Sequence, residues 1–248
     1  MKLTYGEGVA LVTGGSGGIG SAIVASLVEE GVPVALTYNR SREAAERLVE
    51  RLGGSNEVRA YRWSSSDAQQ ASELARQVEA ELGPIRFLVV ASGVSQMSAF
   101  HTMSEDEWRG IIDTNFTAVV SLTRAVITPM MKSGAGRIVL LGSVAGSRGI
   151  QGLTVYSATK AALDGLTRSL AREAASFGVT VNCVAPGFIE TPMIADMHER
   201  IKRAWIRRTP MGRLGSPEDV TPIVGFMLSE QSGYVTGQSW AVDGGLSL

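Results

Sequence analysis

The chain has 248 residues, of which 44% are hydrophobic, and a formal net charge of −1. This length and composition suit a packed α/β protein, and the balanced charge gives no reason to expect nucleic acid or an acidic membrane as a partner. The single cysteine, Cys183, excludes an intramolecular disulfide, and no signal-like or membrane-spanning apolar stretch is present, so we expect a soluble cytoplasmic protein.

Short apolar runs alternate with longer amphipathic stretches along the chain. The runs predict six strands, at residues 9–13, 33–38, 58–61, 87–91, 137–141 and 179–185. Most runs are apolar throughout, which is typical of strands that are covered on both faces. The stretches between them predict helices at 19–30, 42–52, 68–82, 105–131 and 155–177. This alternation predicts a parallel sheet with right-handed crossover connections.

Several residues mark the predicted helix ends. Gly31 and Gly83 follow two helices, at positions where a positive φ closes the last turn. Ser104 and the glutamate three residues later predict a capping box. Pro129 predicts a kink or an early end to its helix, whereas Pro217 predicts the first turn of a further helix.

The segment 187–215 is the least regular part of the sequence. It contains Pro192, Pro210 and several basic residues. Material that follows a late strand of an α/β sheet lies at the carboxyl edge, where ligands bind. We expect either a lid over a substrate cleft or a pair of solvated surface helices.

A glycine-rich turn, TGGSGGIG, joins the first predicted strand to the first predicted helix. It fits G-x-G-x-x-G from Gly15 and G-x-x-x-G-x-G from Gly14. Glycines let the backbone approach a pyrophosphate, and the helix N-terminus offers free N–H groups to it. A nucleoside-triphosphate loop would need a lysine before Ser21, and none is present. The turn predicts a dinucleotide site made by Gly14, Ser16, Gly17, Gly18, Ile19 and Gly20, with a purely structural turn as the alternative.

The residues at the end of the second predicted strand indicate whether the cofactor is NAD(H) or NADP(H). An acidic residue there would hold the adenosine ribose 2′-hydroxyl of NAD. The sequence reads Tyr38-Asn39-Arg40-Ser41 instead. Arg40 suits a 2′-phosphate, so the residues favour NADP(H), with Asn39 and Ser41 beside it. An ordinary exposed arginine at a helix start is the alternative.

Tyr156 and Lys160 lie four residues apart on a predicted helix, and therefore on one face of it. A nearby ammonium favours the phenolate and is expected to lower the tyrosine pKa, which would make the phenol a useful acid or base. Ser143 follows a strand at its carboxyl end and can bond a carbonyl oxygen. Asn115 lies within a predicted helix, where a buried amide needs a partner. It predicts either a proton-relaying water beside Lys160 or a structural hydrogen bond.

These motifs, in this order and spacing, resemble those of classical short-chain dehydrogenases/reductases along nearly the whole chain. The matching parts are 13–20, Asn115, Ser143, 156–160, Pro186-Gly187 and 237–245. Segments 38–41, 186–191, 212–219 and 242–245 further resemble 3-oxoacyl-acyl-carrier-protein reductases. The resemblance implies a single-domain Rossmann fold over residues 1–248, a doubly wound parallel sheet flanked by helices. It also implies a homotetramer, in which 105–131 and 155–177 pack against the same helices of a neighbour.

The resemblance further implies a role for each matching residue. NADPH would deliver hydride to a β-ketone, as in fatty-acid or polyketide-type synthesis, while Tyr156 donates the proton and Ser143 orients the carbonyl. Lys160 would lower the Tyr156 pKa and bind the nicotinamide ribose, and Asn115 would complete a water relay. The implied cofactor contacts in this half of the site are Ala91, Gly93, Tyr156, Lys160, Pro186, Gly187, Ile189 and Thr191.

Three positions depart from the family pattern. Gly17 stands where such reductases usually have arginine, and Ser64 stands where an aspartate contacts adenine. The Asn-Asn-Ala-Gly turn reads Val90-Ala91-Ser92-Gly93, which removes two asparagine side chains. The backbone contacts at Ala91 and Gly93 remain available, so we expect a specialised reductase.

The sequence leaves more than one function open. The substrate is a keto thioester on a carrier protein or a free ketone or alcohol, such as a polyketide, steroid or sugar, and a non-catalytic cofactor-binding subunit is a third alternative. Carrier-protein use predicts a basic entrance, with Arg124, Arg168 and Arg172 as candidates. No metal site is expected, because His101 and His198 are far apart in sequence and have no cysteine or histidine cluster around them.

Overall fold

The protein forms a parallel sheet that is covered on both faces by helices. The computed structural model describes residues 2–53, 58–64, 69–195 and 197–248. Within these residues the strands are β1 (Val9–Thr13), β2 (Val34–Tyr38), β3 (Val58–Arg62), β4 (Ile85–Val90), β5 (Gly136–Leu141), β6 (Val179–Pro186) and β7 (Ser239–Val242). Their order is β3-β2-β1-β4-β5-β6-β7, with every neighbouring pair parallel. The winding reverses between β1 and β4, which makes the sheet doubly wound and opens a crevice at its carboxyl edge.

The helices alternate with the strands, as predicted. Over the described ranges they are α1 (Gly18–Glu29), α2 (Arg42–Leu52), α3 (Gln69–Leu82), α4 (Glu105–Ile112), α5 (Ala118–Ser133), α6 (Val144–Arg148), α7 (Thr154–Ala174), α8 (Glu199–Arg208) and α9 (Pro217–Leu228). Residue 68, the predicted start of the third helix, lies outside the described residues. One apolar core joins α3, α5 and α7 to the sheet, and a second core joins α1, α2 and α9 to its other face. Burial on both faces explains why the central strands are apolar throughout.

The predicted helix ends are mostly confirmed. Gly31 and Gly83 have φ values of 80° and 110°. Ser104 and Glu107 form the capping box at the start of α4, and Pro217 is the first residue of α9. Pro129 does not shorten its helix, because α5 continues to Ser133 and ends at the left-handed Gly134.

The predicted helix 105–131 is wrong in one respect, because it is not a single α-helix. A π-helical turn, Asp113–Thr117, separates α4 from α5. Such a turn accommodates an extra residue within a continuous helical path, and it is frequent at functional sites. Here it contains Asn115, whose side chain is fully buried beside the crevice.

The segment 187–215 crosses the carboxyl edge of the sheet. It contains a 3₁₀ turn, Pro192–Ile194, and the helix α8. A backbone bridge between Ile189 and Gly215 joins its two ends. Among the described residues, no helix combines the length and the apolar character needed to cross a membrane.

Candidate active site

A cavity of about 430 Å³ opens at the carboxyl edge of the sheet. Ser143, which lies between β5 and α6, and Tyr156, which lies on α7, line one side of it. The segment that follows β6 forms the opposite wall. The cavity brings together these predicted site residues: Ile19, Ser143, Tyr156, Pro186, Gly187, Ile189 and Thr191. Residues from four distant parts of the sequence therefore meet in one cleft.

Ser143 and Tyr156 both line this cavity. Ser143 is the N-cap residue of α6, and its hydroxyl accepts a hydrogen bond from the Ala145 N–H at 3.1 Å. This cap fixes the serine where β5 ends, because the helix that follows needs its oxygen. Two hydroxyl-bearing side chains therefore border one cavity, where they can bind a carbonyl oxygen of a substrate.

Lys160 lies behind Tyr156 and is almost completely buried, with 5% of its surface exposed. Its Nζ donates a hydrogen bond to the Leu141 carbonyl oxygen at 2.6 Å and lies 5.7 Å from the centroid of the Tyr156 ring. Burial lowers the pKa of Lys160 from 10.5 to about 8. The Lys160 ammonium is thus held next to the phenol. Because its pKa is lowered to about 8, it can release a proton more readily than an exposed lysine.

The expected lowering of the Tyr156 pKa is not found in this structure. Burial raises the pKa of the phenol above 10.0, and the neighbouring Ser143 side chain opposes that shift. The physical reason is that apolar surroundings disfavour both charged groups, the phenolate and the neighbouring ammonium of Lys160. Tyr156 is therefore a protonated phenol in the cavity, which is the form that donates a proton.

The Asn115 side chain makes structural hydrogen bonds. Its Oδ1 accepts from the Val94 N–H, and its Nδ2 donates to the Val94 carbonyl, both at 2.8 Å. Nδ2 also lies 3.3 Å from the Thr159 hydroxyl. The π-helical turn thus fixes the loop after β4 beside α7, which confirms the structural alternative. The water relay stays a prediction.

The glycine-rich turn has the shape that its sequence predicts. Gly14 has a φ of 63°, and a Cβ on Gly20 would lie 2.2 Å from the Gly14 carbonyl oxygen. Gly17 is the N-cap residue of α1, and no side-chain hydrogen bond caps the first turn of that helix within the described part of the chain. A Cβ on Gly18 would lie 2.6 Å from Cγ2 of Thr191. The turn therefore offers free backbone N–H groups to an anion and touches the segment that closes the cavity.

Arg40 lies exposed at the carboxyl end of β2, between the exposed residues Asn39 and Ser41. Within the described residues no carboxylate pairs with it, whereas Arg42 pairs with Glu46 at 2.7 Å. These two arginines are only two positions apart, yet only Arg42 is neutralised. Arg40 is therefore available to an anionic ligand at the far end of the same sheet edge.

The other two departures from the family pattern, besides Gly17, can also be placed. Ser92, in the altered turn after β4, bonds Thr13 at the end of β1: their hydroxyls are 3.0 Å apart, and the Ser92 N–H donates to Thr13 Oγ1 at 3.1 Å. A different polar side chain thus connects the two central strands. Gly93 packs closely, because a Cβ there would lie 3.3 Å from Asn115 Oδ1 and 3.5 Å from Lys160 Nζ. The Ser64 N–H donates a hydrogen bond to Oε1 of Gln70 at 3.5 Å.

The structure adds residues that the sequence did not single out. The inner wall of the cavity is largely apolar and includes Met97, Ile150, Leu153, Phe188, Met193 and Met197. Methionine adapts to irregular ligand shapes, so this wall suits a hydrophobic substrate. The clustering of methionine and isoleucine in 193–201, within the irregular segment that follows β6, was the available signal. Arg124, Arg168 and Arg172 lie exposed on α5 and α7 and do not line this cavity.

The comparisons with known proteins agree with this geometry. A family model described as enoyl-(acyl carrier protein) reductase matches residues 14–247. The chain is 41% identical over 240 residues to the 3-oxoacyl-[acyl-carrier-protein] reductase FabG of Vibrio harveyi, covering 97% of both chains. It is 39% identical over 238 residues to the acetoacetyl-CoA reductase of Shinella zoogloeoides, covering 96% of this chain and 97% of the relative.

These matches extend over nearly all of the chain, and the range of the family model, 14–247, contains Ser143, Tyr156 and Lys160. The chain belongs to the short-chain dehydrogenase/reductase family and is an oxidoreductase.

Proposed function

We propose that the protein uses NADPH to reduce the 3-keto group of a β-ketoacyl thioester to a hydroxyl group. The observation that carries this proposal is that Ser143 and Tyr156 line one apolar cavity, with the Lys160 Nζ 5.7 Å from the centroid of the Tyr156 ring. The names of the relatives, an acetoacetyl-CoA reductase and a 3-oxoacyl-[acyl-carrier-protein] reductase, support a β-ketoacyl substrate.

The residues of the crevice fit a dinucleotide. The uncapped first turn of α1 and the glycines before it would hold the pyrophosphate. Arg40 would pair with a 2′-phosphate, and the segment from Pro186 to Thr191 borders the cavity at the opposite end. When bound, the cofactor supplies the hydride.

The side chains supply the proton and orient the ketone. The Ser143 and Tyr156 hydroxyls donate hydrogen bonds to the ketone oxygen, which accumulates negative charge as its carbon is reduced. The Tyr156 O–H proton then moves to that oxygen and leaves a phenolate. Lys160 and Ser143 stabilise this phenolate, and the depressed pKa of Lys160, about 8, allows the ammonium to return a proton to it.

The proposal predicts that the wild-type protein oxidises NADPH when acetoacetyl-CoA or acetoacetyl-N-acetylcysteamine is added. The decrease in absorbance of the reduced nicotinamide measures the rate, and chromatography of the 3-hydroxy product checks the stoichiometry. Free cyclic ketones and sugars serve as the comparison substrates. Turnover of those compounds without turnover of either thioester would contradict the proposal and favour a reductase of free ketones.

Cofactor preference provides a separate prediction. Arg40→Gln should raise the KM for NADPH by about 10-fold and change the KM for NADH by less than about 2-fold, because one charge-assisted pair with the 2′-phosphate is lost. Arg42→Gln is the matched control, since Glu46 already neutralises Arg42. Equal effects of Arg40→Gln on both cofactors would show that Arg40 does not recognise the 2′-phosphate.

A further inference from the structure

The substrate cavity continues outward into a second cavity, of about 660 Å³, which we call the vestibule. The two cavities share the lining residues Met97, Ile150, His198 and Ile201. The vestibule adds Arg200 and Arg208, and among the described residues no carboxylate lines it. The path from Tyr156 to the solvent therefore changes from an apolar interior to a cationic exterior.

The two arginines lie on one face of α8. Arg200, Ala204 and Arg208 are spaced by four residues, so they follow one another along the helix surface, and all three line the vestibule. Arg203 and Arg207, on the same helix, do not line it. The helix thus directs two of its exposed cations into the substrate path and two away from it.

Arg208 is held in position by aromatic side chains. Its guanidinium carbon lies 5.1 Å from the centroid of the Trp205 ring. Trp205 stacks on Phe188 with ring centroids 4.1 Å apart, and Phe188 lines the substrate cavity directly after β6. An arginine that is fixed in this way loses less conformational freedom when it binds a ligand.

The described residues do not neutralise the two arginines of the vestibule. Lys202 pairs with Glu190 at 2.8 Å, and Arg213 pairs with Asp219 at 2.6 Å. In the part of the chain that the structure describes, neither Arg200 nor Arg208 pairs with a carboxylate. Two uncompensated guanidinium groups therefore border the outer end of the substrate path, where they attract an anion.

We propose that Arg200 and Arg208 bind a phosphate group on the arm that carries the acyl thioester. This inference rests on the proposed function, because the acyl group would occupy the apolar cavity and its carrier arm would pass through the vestibule. Pantetheine arms carry a phosphate in both coenzyme A and carrier proteins, so the shared chemistry is a phosphopantetheine phosphate. Guanidinium groups bind phosphate oxygens through paired, charge-assisted hydrogen bonds. Helix α8 thereby selects substrates on a phosphorylated carrier.

The test compares the acetoacetyl thioesters of N-acetylcysteamine, of phosphopantetheine and of coenzyme A. Only the N-acetylcysteamine thioester has no phosphate. For the double variant Arg200→Gln/Arg208→Gln, the ratio of kcat/KM on phosphopantetheine to kcat/KM on N-acetylcysteamine should fall about 10-fold or more, mainly through KM. The matched control, Arg203→Gln/Arg207→Gln, removes the same charge from the same helix and should leave that ratio at the wild-type value. Circular dichroism of both variants checks that α8 is intact.

The substrates separate the two proposals. Wild-type turnover of the N-acetylcysteamine thioester tests the proposed reductase function without any phosphate. A fall with the phosphopantetheine and coenzyme A thioesters, but not with the N-acetylcysteamine thioester, supports the phosphate site. An equal fall on all three thioesters, an unchanged ratio, or the same loss in the control variant would overturn the phosphate site.

Discussion

Replacing Tyr156 by phenylalanine is expected to lower kcat by about 10²- to 10⁴-fold, the range that a positioned general acid contributes. The substitution removes only the hydroxyl, so the ring still packs beside Lys160, whose Nζ lies 5.7 Å from its centroid. The ketone oxygen then loses both a hydrogen-bond donor and its proton source. The measurement is kcat for NADPH oxidation at saturating acetoacetyl thioester.

The control for this prediction is another buried phenol that lies outside the cavity. The Tyr61 hydroxyl donates a hydrogen bond to Glu81 at 3.0 Å, so Tyr61→Phe also removes a bonded phenolic hydroxyl. It should change kcat by less than about 2-fold, since it touches neither the substrate nor the cofactor crevice. Titration of NADPH by fluorescence should give similar affinities for both variants and the wild type. A Tyr156→Phe protein that binds NADPH and retains a tenth of the wild-type kcat would rule out Tyr156 as the proton donor.

Replacing Lys160 by methionine is expected to change the pH dependence of stability. The unfolded chain has a lysine pKa near 10.5, and burial lowers the folded value to about 8. Between these values the unfolded chain holds a proton that the folded chain has lost, so the stability of the wild type rises with pH. Below about pH 8 both states are protonated, and the folded state carries the full cost of the buried charge. Relative to Lys160→Met, the wild-type free energy of unfolding should rise by about 2 to 3 kcal/mol from about pH 7 to about pH 10.

The pH difference isolates ionisation from the other effects of this substitution. Losing the hydrogen bond to Leu141 and changing the packing alter stability by the same amount at every pH, so they cancel. Urea unfolding followed by circular dichroism gives the free energies. Lys202→Met is the control, because pairing with Glu190 raises the pKa of Lys202 and reverses the sign of its pH dependence. If the difference in the free energy of unfolding between the wild type and Lys160→Met stayed constant from about pH 7 to about pH 10, folding would not lower the pKa of Lys160.

Most strands of the sheet could be predicted, because a continuous run of apolar residues indicates a strand that is buried on both faces. The runs that became β1, β4 and β5 consist almost entirely of buried apolar residues. Strand β7 was missed, because it is four residues long and lies mostly exposed at the edge of the sheet. An exposed edge strand needs no continuous apolar run, so its sequence carries little signal.

Interruptions of regular structure were harder to predict. The π-helical turn Asp113–Thr117 lies inside a stretch whose amphipathic pattern continues on both sides. The turn is fixed by the bonds of Asn115 to Val94, and a contact over 21 residues leaves no local pattern. The helix α6 is five residues long and was missed for a related reason, since so short an element shows no period.

The candidate site was predicted unevenly. The Ser143–Tyr156–Lys160 group followed from a resemblance in motif and spacing, and the structure brings these residues together. The direction of the Tyr156 pKa shift did not follow, because it depends on the apolar surroundings of the phenol more than on its charged neighbour. The vestibule was also missed, since only the folded helix shows that Arg200 and Arg208 share a face that borders the substrate path.

The contact between Gly18 and Thr191 has a consequence for the residue that position 18 can accept. Thr191 touches the glycine-rich turn and also lines the substrate cavity, so one side chain borders both regions. Any side chain at position 18 would meet Thr191, because a Cβ there would lie 2.6 Å from Cγ2 of Thr191. The neighbouring cavity wall at Met193 and Ile194 would have to shift with the threonine. The glycine at position 18 therefore constrains the shape of the substrate cavity as well as the shape of its own turn.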